Sequence, residues 1–241
     1  MTNLYLIDDD PKQKIFFVLI YKKDIRLYIR SIDRYSHTFP HPNTAHESGI
    51  LCHGGDLNPN RVIKAYLCGI FPWYNEDEPL LWWSPNPRMV LYPKELRVSK
   101  SMRVVLRKQL FKITFNTAFE DVIQQCAQIK RDDQDDTWIT NDMTKAYIKL
   151  HKQGIATSVE VWQGKKLVGG LYGIDLKDKK IFCGESMFSK VSNASKAAFI
   201  TLTQELKTKG YKLIDCQMHT THLESLGARE IERGEFLKAL K

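Results

Sequence analysis

The 241-residue chain has little that would tie it to a metal, a nucleotide or a membrane. Its five cysteines, at 52, 68, 126, 183 and 216, are odd in number and far apart, which argues against a disulfide framework and against a cysteine-rich zinc site. Such usage suits a reducing compartment, and the cytoplasm is the expected location. The longest apolar run, residues 15–21, falls well short of the about 20 residues that a spanning helix needs, so no membrane partner is expected. Asp8, Asp9 and Asp10 precede that run where a secretory leader would be positive. There is no Gly-x-x-x-x-Gly-Lys loop, no Gly-x-Gly-x-x-Gly turn and no His-Glu-x-x-His, so neither a cofactor nor a metal is expected. His219 and His222 stand three apart without a third ligand at fitting spacing and read as ordinary polar residues. Ser186, in Gly184-Glu185-Ser186-Met187, lacks the final glycine of a hydrolase elbow.

What is present is enough apolar content, 43%, for one large core or two smaller ones, and a formal net charge of +8 that suits a polyanionic partner without requiring one. Residues 69–93 hold three of the five tryptophans and five prolines. Because proline fixes φ and removes a donor, this stretch is expected to be a stiff, aromatic-studded loop. Residues 36–56 also read as loop, and 15–21 as a buried strand. Asn58-Pro59 opens a helix that Gly69 ends, with Val62, Ile63, Tyr66 and Leu67 on one face. Beyond that, regular α/β alternation is expected. Ser99 caps a helix carrying Lys100, Arg103 and Arg107, and 111–115 is a strand. Thr117 and Glu120 form a capping box for a helix with Phe119, Val122, Ile123 and Cys126 inside. An acidic patch, Asp132, Asp133, Asp135 and Asp136, leads to a helix over 141–153. Strands follow over 158–162, 166–172 and 180–183, then a long helix over 193–209, a strand over 211–217 and a short helix over 233–240. The domain boundary is expected near Arg88.

Three polar residues are candidates for chemistry. Asp215 and Gln217 flank Cys216, and strand alternation puts both on one face; the alternative is a buried aspartate bonding nearby amides. Glu185 follows a glycine after a strand, as a site acid or a solvated loop acid. Trp73 and Trp138 are either core residues or stacking platforms for a nucleobase. Lys100, Arg103 and Arg107 are either a solvated face or a grip on phosphates. Phe199, Leu202 and Leu206 share one helix wall.

An ordered series of segments resembles the bacterial leucyl/phenylalanyl-tRNA–protein transferases. It comprises Gly54-Gly55-Asp56-Leu57, the turn 69–73, Trp82-Trp83-Ser84-Pro85-x-Pro87-Arg88 and Thr137-Trp138-Ile139-Thr140. It continues through Ser158-Val159-Glu160, Gly169-Gly170-Leu171-Tyr172-Gly173, Gly184-Glu185-Ser186-Met187-Phe188-Ser189, Ala194-Ser195-Lys196, Ile214-Asp215-Cys216-Gln217 and Ser225-Leu226-Gly227-Ala228. The resemblance implies an α+β fold: a small N-terminal α/β domain over 1–88, with 1–30 an atypical extension, and an N-acetyltransferase-like (GNAT-like) mixed-sheet catalytic domain over 89–241. It implies a monomeric enzyme that moves leucine or phenylalanine, less readily methionine, from aminoacyl-tRNA onto the N-terminal amine of proteins beginning with Arg or Lys. That transfer marks them for degradation by the N-degron pathway.

The resemblance also assigns roles. Asp215 relays through Gln217 to the incoming amine, and Glu185 contacts the tRNA end near the ester. Trp73 and Trp138 take the terminal adenine; given a tRNA partner, the basic face of Lys100, Arg103 and Arg107 is the expected contact for its phosphates. Leu171, Met187, Phe199, Leu202, Leu206 and Ile214 line the amino-acid pocket, and β-branched valine and isoleucine are expected to be poor donors because branching crowds its mouth. Thr157 departs from the family's histidine, and Phe199 from its leucine. Two other readings are an acyl-CoA-dependent N-acetyltransferase and a non-catalytic RNA- or degron-binding module. The segment 189–193 has no glycine to cradle a pyrophosphate, which counts against the first, and the pairing of Asp215 with Gln217 counts against the second.

Overall fold

The computed structural model describes residues 4–6, 16–21, 25–129 and 138–241, with side chains described from Ile29 onward. The chain divides into two compact units, 1–86 and 87–241. The acidic patch at 132–136 lies outside the described residues.

The first unit is built on β1 (Leu4–Leu6), β2 (Phe16–Tyr21), β3 (Ile25–Ile32), β4 (Ile50–Gly54), α1 (Pro59–Leu67), β5 (Phe71–Pro72) and β6 (Leu81–Trp83). Its sheet runs β1-β2-β3-β4-β6-β5, with β3 and β4 parallel and the other neighbours antiparallel. The atypical first 30 residues therefore add strands to the edge of this sheet. The Asn58 side chain accepts from the Asn60 N–H, and proline follows at the first helical position, so α1 starts where its capping residues require. Its buried face is Arg61, Val62, Ala65 and Tyr66, while Leu67 is exposed.

Two expectations fail here. The region read as loop up to residue 56 contains β4, and the tryptophan- and proline-rich stretch, although mostly connection, contains the short strands β5 and β6. Its prolines do not prevent this. Pro72 lies in the edge strand β5, where a missing donor breaks no ladder, and Pro79, Pro85 and Pro87 fall between strands. Trp82 and Trp83 are buried in β6, and their indole N–H groups donate to the Gly54 and Trp73 carbonyls.

The second unit contains β7 (Arg88–Leu91), α2 (Lys100–Arg107), β8 (Lys112–Phe115), α3 (Phe119–Gln128), α4 (Asn141–Lys152), β9 (Ala156–Gln163), β10 (Lys166–Leu176), β11 (Ile181–Ser189), α5 (Ala194–Thr208), β12 (Leu213–Gln217), α6 (Thr221–Ser225), β13 (Arg229–Ile231) and α7 (Arg233–Ala239). The sheet order is β13-β7-β12-β11-β10-β9-β8, mixed, with β11 and β12 its parallel pair. β7, from the end of the stretch expected to be loop, is thus an interior strand. Leu171 and Tyr172, consecutive on β10, point to opposite faces. Leu171 joins the core under α5, and Tyr172 meets Phe119 of α3 and Tyr147 of α4 edge-on. Helices therefore cover both faces.

The capping box also fails. The residue ahead of α3 is Ala118, with no side-chain cap, and the Thr117 hydroxyl donates instead to the buried carboxylate of Glu160. That carboxylate also accepts from the Ser158 and Thr114 hydroxyls.

Candidate active site

The third strand of the central trio runs to Ser189, well past the expected end at 183, so Glu185 lies within β11 and not in a loop. It is the extra residue of a bulge. Tyr172 pairs with Ser186 and Gly173 with Gly184, so the β10 ladder passes over Glu185. A side chain at Gly173 would collide with the Cys183 carbonyl, so glycine permits this close approach. β12 carries a matching bulge. Asp215 pairs with Val90 and Gln217 with Met89, so Cys216 is the extra residue. The parallel ladder between β11 and β12 ends at Cys183 and Asp215, just before both bulges. Bulges re-aim side chains and end pairing, and here they turn two polar residues toward each other.

The same-face argument from alternation does not hold, because Cys216 interrupts the period and Gln217 takes the left-handed conformation at φ 64. The groups meet differently. Gln217 Nε2 donates to Glu185 Oε1 at 2.9 Å, and Tyr147 Oη donates to Glu185 Oε2 at 2.9 Å. A carboxylate accepts, so the Gln217 amide presents its nitrogen to Glu185 and turns its oxygen away. Asp215 touches Gln217 through the backbone, with Oδ1 accepting the Gln217 N–H at 3.0 Å. Its carboxylate is held by Arg88, whose Nε donates to Oδ1 at 2.8 Å and Nη2 to Oδ2 at 2.7 Å. Asp215 and Arg88 are buried, and Gln217 is 8% exposed. Burial, followed by the Asp215 charge, raises the Cys183 and Cys216 thiols, so neither is a nucleophile at neutral pH.

Beside these polar groups lies one apolar cluster that takes in Leu171, Phe199, Leu202, Leu206 and Ile214, with Met187 packed against it and partly open. The β10–β11 register sets Leu171 directly opposite Met187. The six expected pocket residues are thus brought together. Trp73, in the first unit, is half-buried, its ring 5.0 Å from that of Trp83. Trp138, in the second, is 8% exposed and precedes α4, which the Thr140 hydroxyl caps. Lys100, Arg103 and Arg107 are exposed on α2, and Arg103 Nε donates to the Val98 carbonyl.

Sequence reasoning missed two residues of this arrangement. Tyr147 reads from its spacing as a helix-face core residue, and nothing local points its hydroxyl at an acid on another element. Arg88 leads directly into the apolar run Met89-Val90-Leu91. An arginine there signals a buried anion, and Asp215, set among apolar strand residues, is its counterpart. Among the described residues, no three His, Cys, Asp or Glu side chains form a metal-holding group, and no helix is long and apolar enough to cross a membrane.

A protein-family model described as leucyl/phenylalanyl-tRNA protein transferase matches residues 90–241, and one described as the N-terminal domain of that transferase matches residues 55–86. Curated relatives named leucyl/phenylalanyl-tRNA–protein transferase are similar over most of their length. The Flavobacterium johnsoniae protein is 62% identical across 84% of this chain and 95% of its own. The Christiangramia forsetii protein is 60% identical across 84% and 95%, and that of Pseudomonas aeruginosa strain LESB58 is 56% identical across 80% and 84%. Among solved structures, L-PGS from Bacillus licheniformis is similar at a TM-score of 0.38, with 12% identity across 57% of this chain and 48% of that one, a likeness too slight to carry an argument.

Proposed function

The chain belongs to the leucyl/phenylalanyl-tRNA–protein transferase family, and from that premise we propose that it transfers leucine or phenylalanine, less readily methionine, from aminoacyl-tRNA to the N-terminal amine of proteins beginning with Arg or Lys. The product is marked for the N-degron pathway, and the proposed compartment is the cytoplasm. The observation that carries the site assignment is the contact of Gln217 with Glu185 at the parting of β11 and β12, beside the apolar cluster.

In the reaction the amine nitrogen attacks the ester carbonyl carbon. The new C–N bond forms, the bond to the ribose oxygen breaks, and the proton released by nitrogen ends on that oxygen. The ester is already activated, so no ATP is consumed. An α-amine with a pKa of about 7.7–8.0 is partly neutral at cellular pH, so the work left to the protein is positioning and proton handling. The outward-turned Oε1 of Gln217 accepts an N–H of the amine, and Asp215 acts from behind through the Gln217 backbone. Glu185 faces the ester-bearing nucleotide. Leu171, Met187, Phe199, Leu202, Leu206 and Ile214 receive the donor side chain, and Met187 supplies an adaptable wall for both leucine and phenylalanine. Each indole, Trp73 in the first unit and Trp138 in the second, offers a stacking surface to a nucleobase. Lys100, Arg103 and Arg107 offer charge to phosphates.

We further infer that the second unit is a GNAT-like domain and the first a separate N-terminal one, with the boundary just ahead of Arg88 and not after it as the 1–88 and 89–241 division had it. A mixed sheet whose parallel pair parts beside the polar groups supports the first inference. The test mixes the protein with labelled leucyl-tRNA and a peptide starting with arginine, without ATP or added metal. Label should appear on the peptide N-terminus; label that stays on the tRNA would reject the reading.

A further inference from the structure

Gln217 holds a conformation that a non-glycine residue adopts only when its surroundings enforce it. The enforcing contact on its own strand is the Asp215 Oδ1 that accepts its N–H. That oxygen is itself fixed from β7, the strand that pairs with β12 at Gln217, by the two-pronged grip of Arg88. Arg88 is 1% exposed, and its guanidinium lies 4.7 Å from the centroid of the buried Phe236 ring of α7, which leaves the fork little freedom. Both oxygens of Asp215 are thus engaged by the protein. The carboxylate that meets the Gln217 side chain is that of Glu185.

We propose that Arg88 is a positioning residue for the transfer: by gripping both oxygens of Asp215 it locks the bulged Gln217 backbone and so keeps the Gln217 amide on Glu185, with its oxygen aimed at the incoming amine. Asp215 then acts through Gln217 without touching the substrate. The inference rests on the function proposed above, and it assigns to Arg88 and Asp215 a joint role in orientation. A two-pronged guanidinium grip has no equivalent in lysine, whose ammonium is a point charge. Removing both charges together avoids stranding either one in the interior.

The test compares the unaltered protein with Arg88→Lys and with the double variant Arg88→Met/Asp215→Leu, using two readouts. The first is hydrogen exchange at the Gln217 backbone amide, which reports the clamp whether or not transfer occurs. It should be protected in the unaltered protein and exchange faster in both variants, while the β10–β11 amides keep their protection. The second is transfer kinetics. A reacting group displaced by about an ångström loses on the order of 100-fold, so kcat of the double variant should fall roughly 100-fold. Its KM for leucyl-tRNA should stay within about twofold, because the donor pocket is untouched. Arg88→Lys should lose about tenfold, a partial rescue by charge without the fork. Unchanged Gln217 exchange in Arg88→Lys, which keeps the Asp215 acceptor, or an unchanged kcat in the folded double variant, would overturn the proposal. An unaltered protein that transfers nothing would overturn the function and the role in transfer together, whereas the exchange rates would still decide whether Arg88 locks the Gln217 backbone.

Discussion

Among the described residues, each unit of this chain buries one arginine almost completely, and the two are used in opposite ways. In the first unit, Arg61 donates to Asp56, which is 40% exposed, and to the backbone carbonyls of Asp33, Arg34 and Ser36. Its charge is shared between one part-exposed carboxylate and three neutral carbonyl dipoles, and the result is a pinned loop. In the second unit, Arg88 grips a carboxylate that is as buried as itself, and that carboxylate holds a left-handed glutamine. A buried guanidinium answered by carbonyls stabilises a local shape. One answered by a buried carboxylate contributes little net stability, because desolvation offsets most of the attraction, yet it enforces a geometry that breaks if either partner is lost. The first arrangement holds the fold, and the second holds the proposed site.

The largest expected effect tests the second arrangement. Asp215→Ala leaves the Arg88 guanidinium buried without its carboxylate. It should cost about 3–5 kcal/mol of stability by chemical denaturation, and transfer should fall below detection while leucyl-tRNA binding persists in the folded fraction. Loss of binding together with transfer would make the pair a structural one like Arg61.

Arg61→Met should do the reverse, costing about 1–3 kcal/mol through carbonyls left unsatisfied, with kcat of the folded protein unchanged. A large fall in kcat would erase the distinction between the two arginines.

A third effect appears only in acid. His53, on β4 of the first unit, is buried, which lowers its pKa from 6.5 to about 4. Between those values the unfolded chain binds a proton that the native one refuses, so stability should decline as pH falls from about 6.5 toward about 4. His53→Asn should flatten that limb in a denaturation series; an unchanged limb would remove His53 as its cause. The smallest effect is that of Asp56→Asn. Its pair with Arg61 is partly open to solvent, so the change should cost no more than about 1 kcal/mol. A cost as large as that of Arg61→Met would show that Asp56, and not the carbonyls, carries the first arrangement.

What could be read from the sequence, and what could not, follows the same division. Helices whose signals are local were legible: the Asn58 and Ser99 caps act within three residues, and both hold. The apolar wall of Phe199, Leu202 and Leu206 was legible because helical period alone puts those residues on one side. The short strands within the tryptophan- and proline-rich stretch were missed because proline's effect on a strand depends on whether the strand is an edge, a property of the assembled sheet. Glu185 and Gln217 were singled out, but their meeting was not foreseeable. It is created by two bulges, at Glu185 and Cys216, and an inserted residue is invisible to any argument that assumes a period of two. Tyr147 entered the site from a helix more than 35 residues earlier in the chain, at a spacing that marks it only as core.

In the proposed reaction the Gln217 amide, set on Glu185, orients the attacking amine. Its most direct test is single-turnover leucyl transfer to an arginine-starting peptide by Gln217→Ala, with leucyl-tRNA binding measured in parallel. Binding should be unchanged and the rate lower by about 100-fold; a rate equal to that of the unaltered protein would show that the Gln217 amide does not orient the amine.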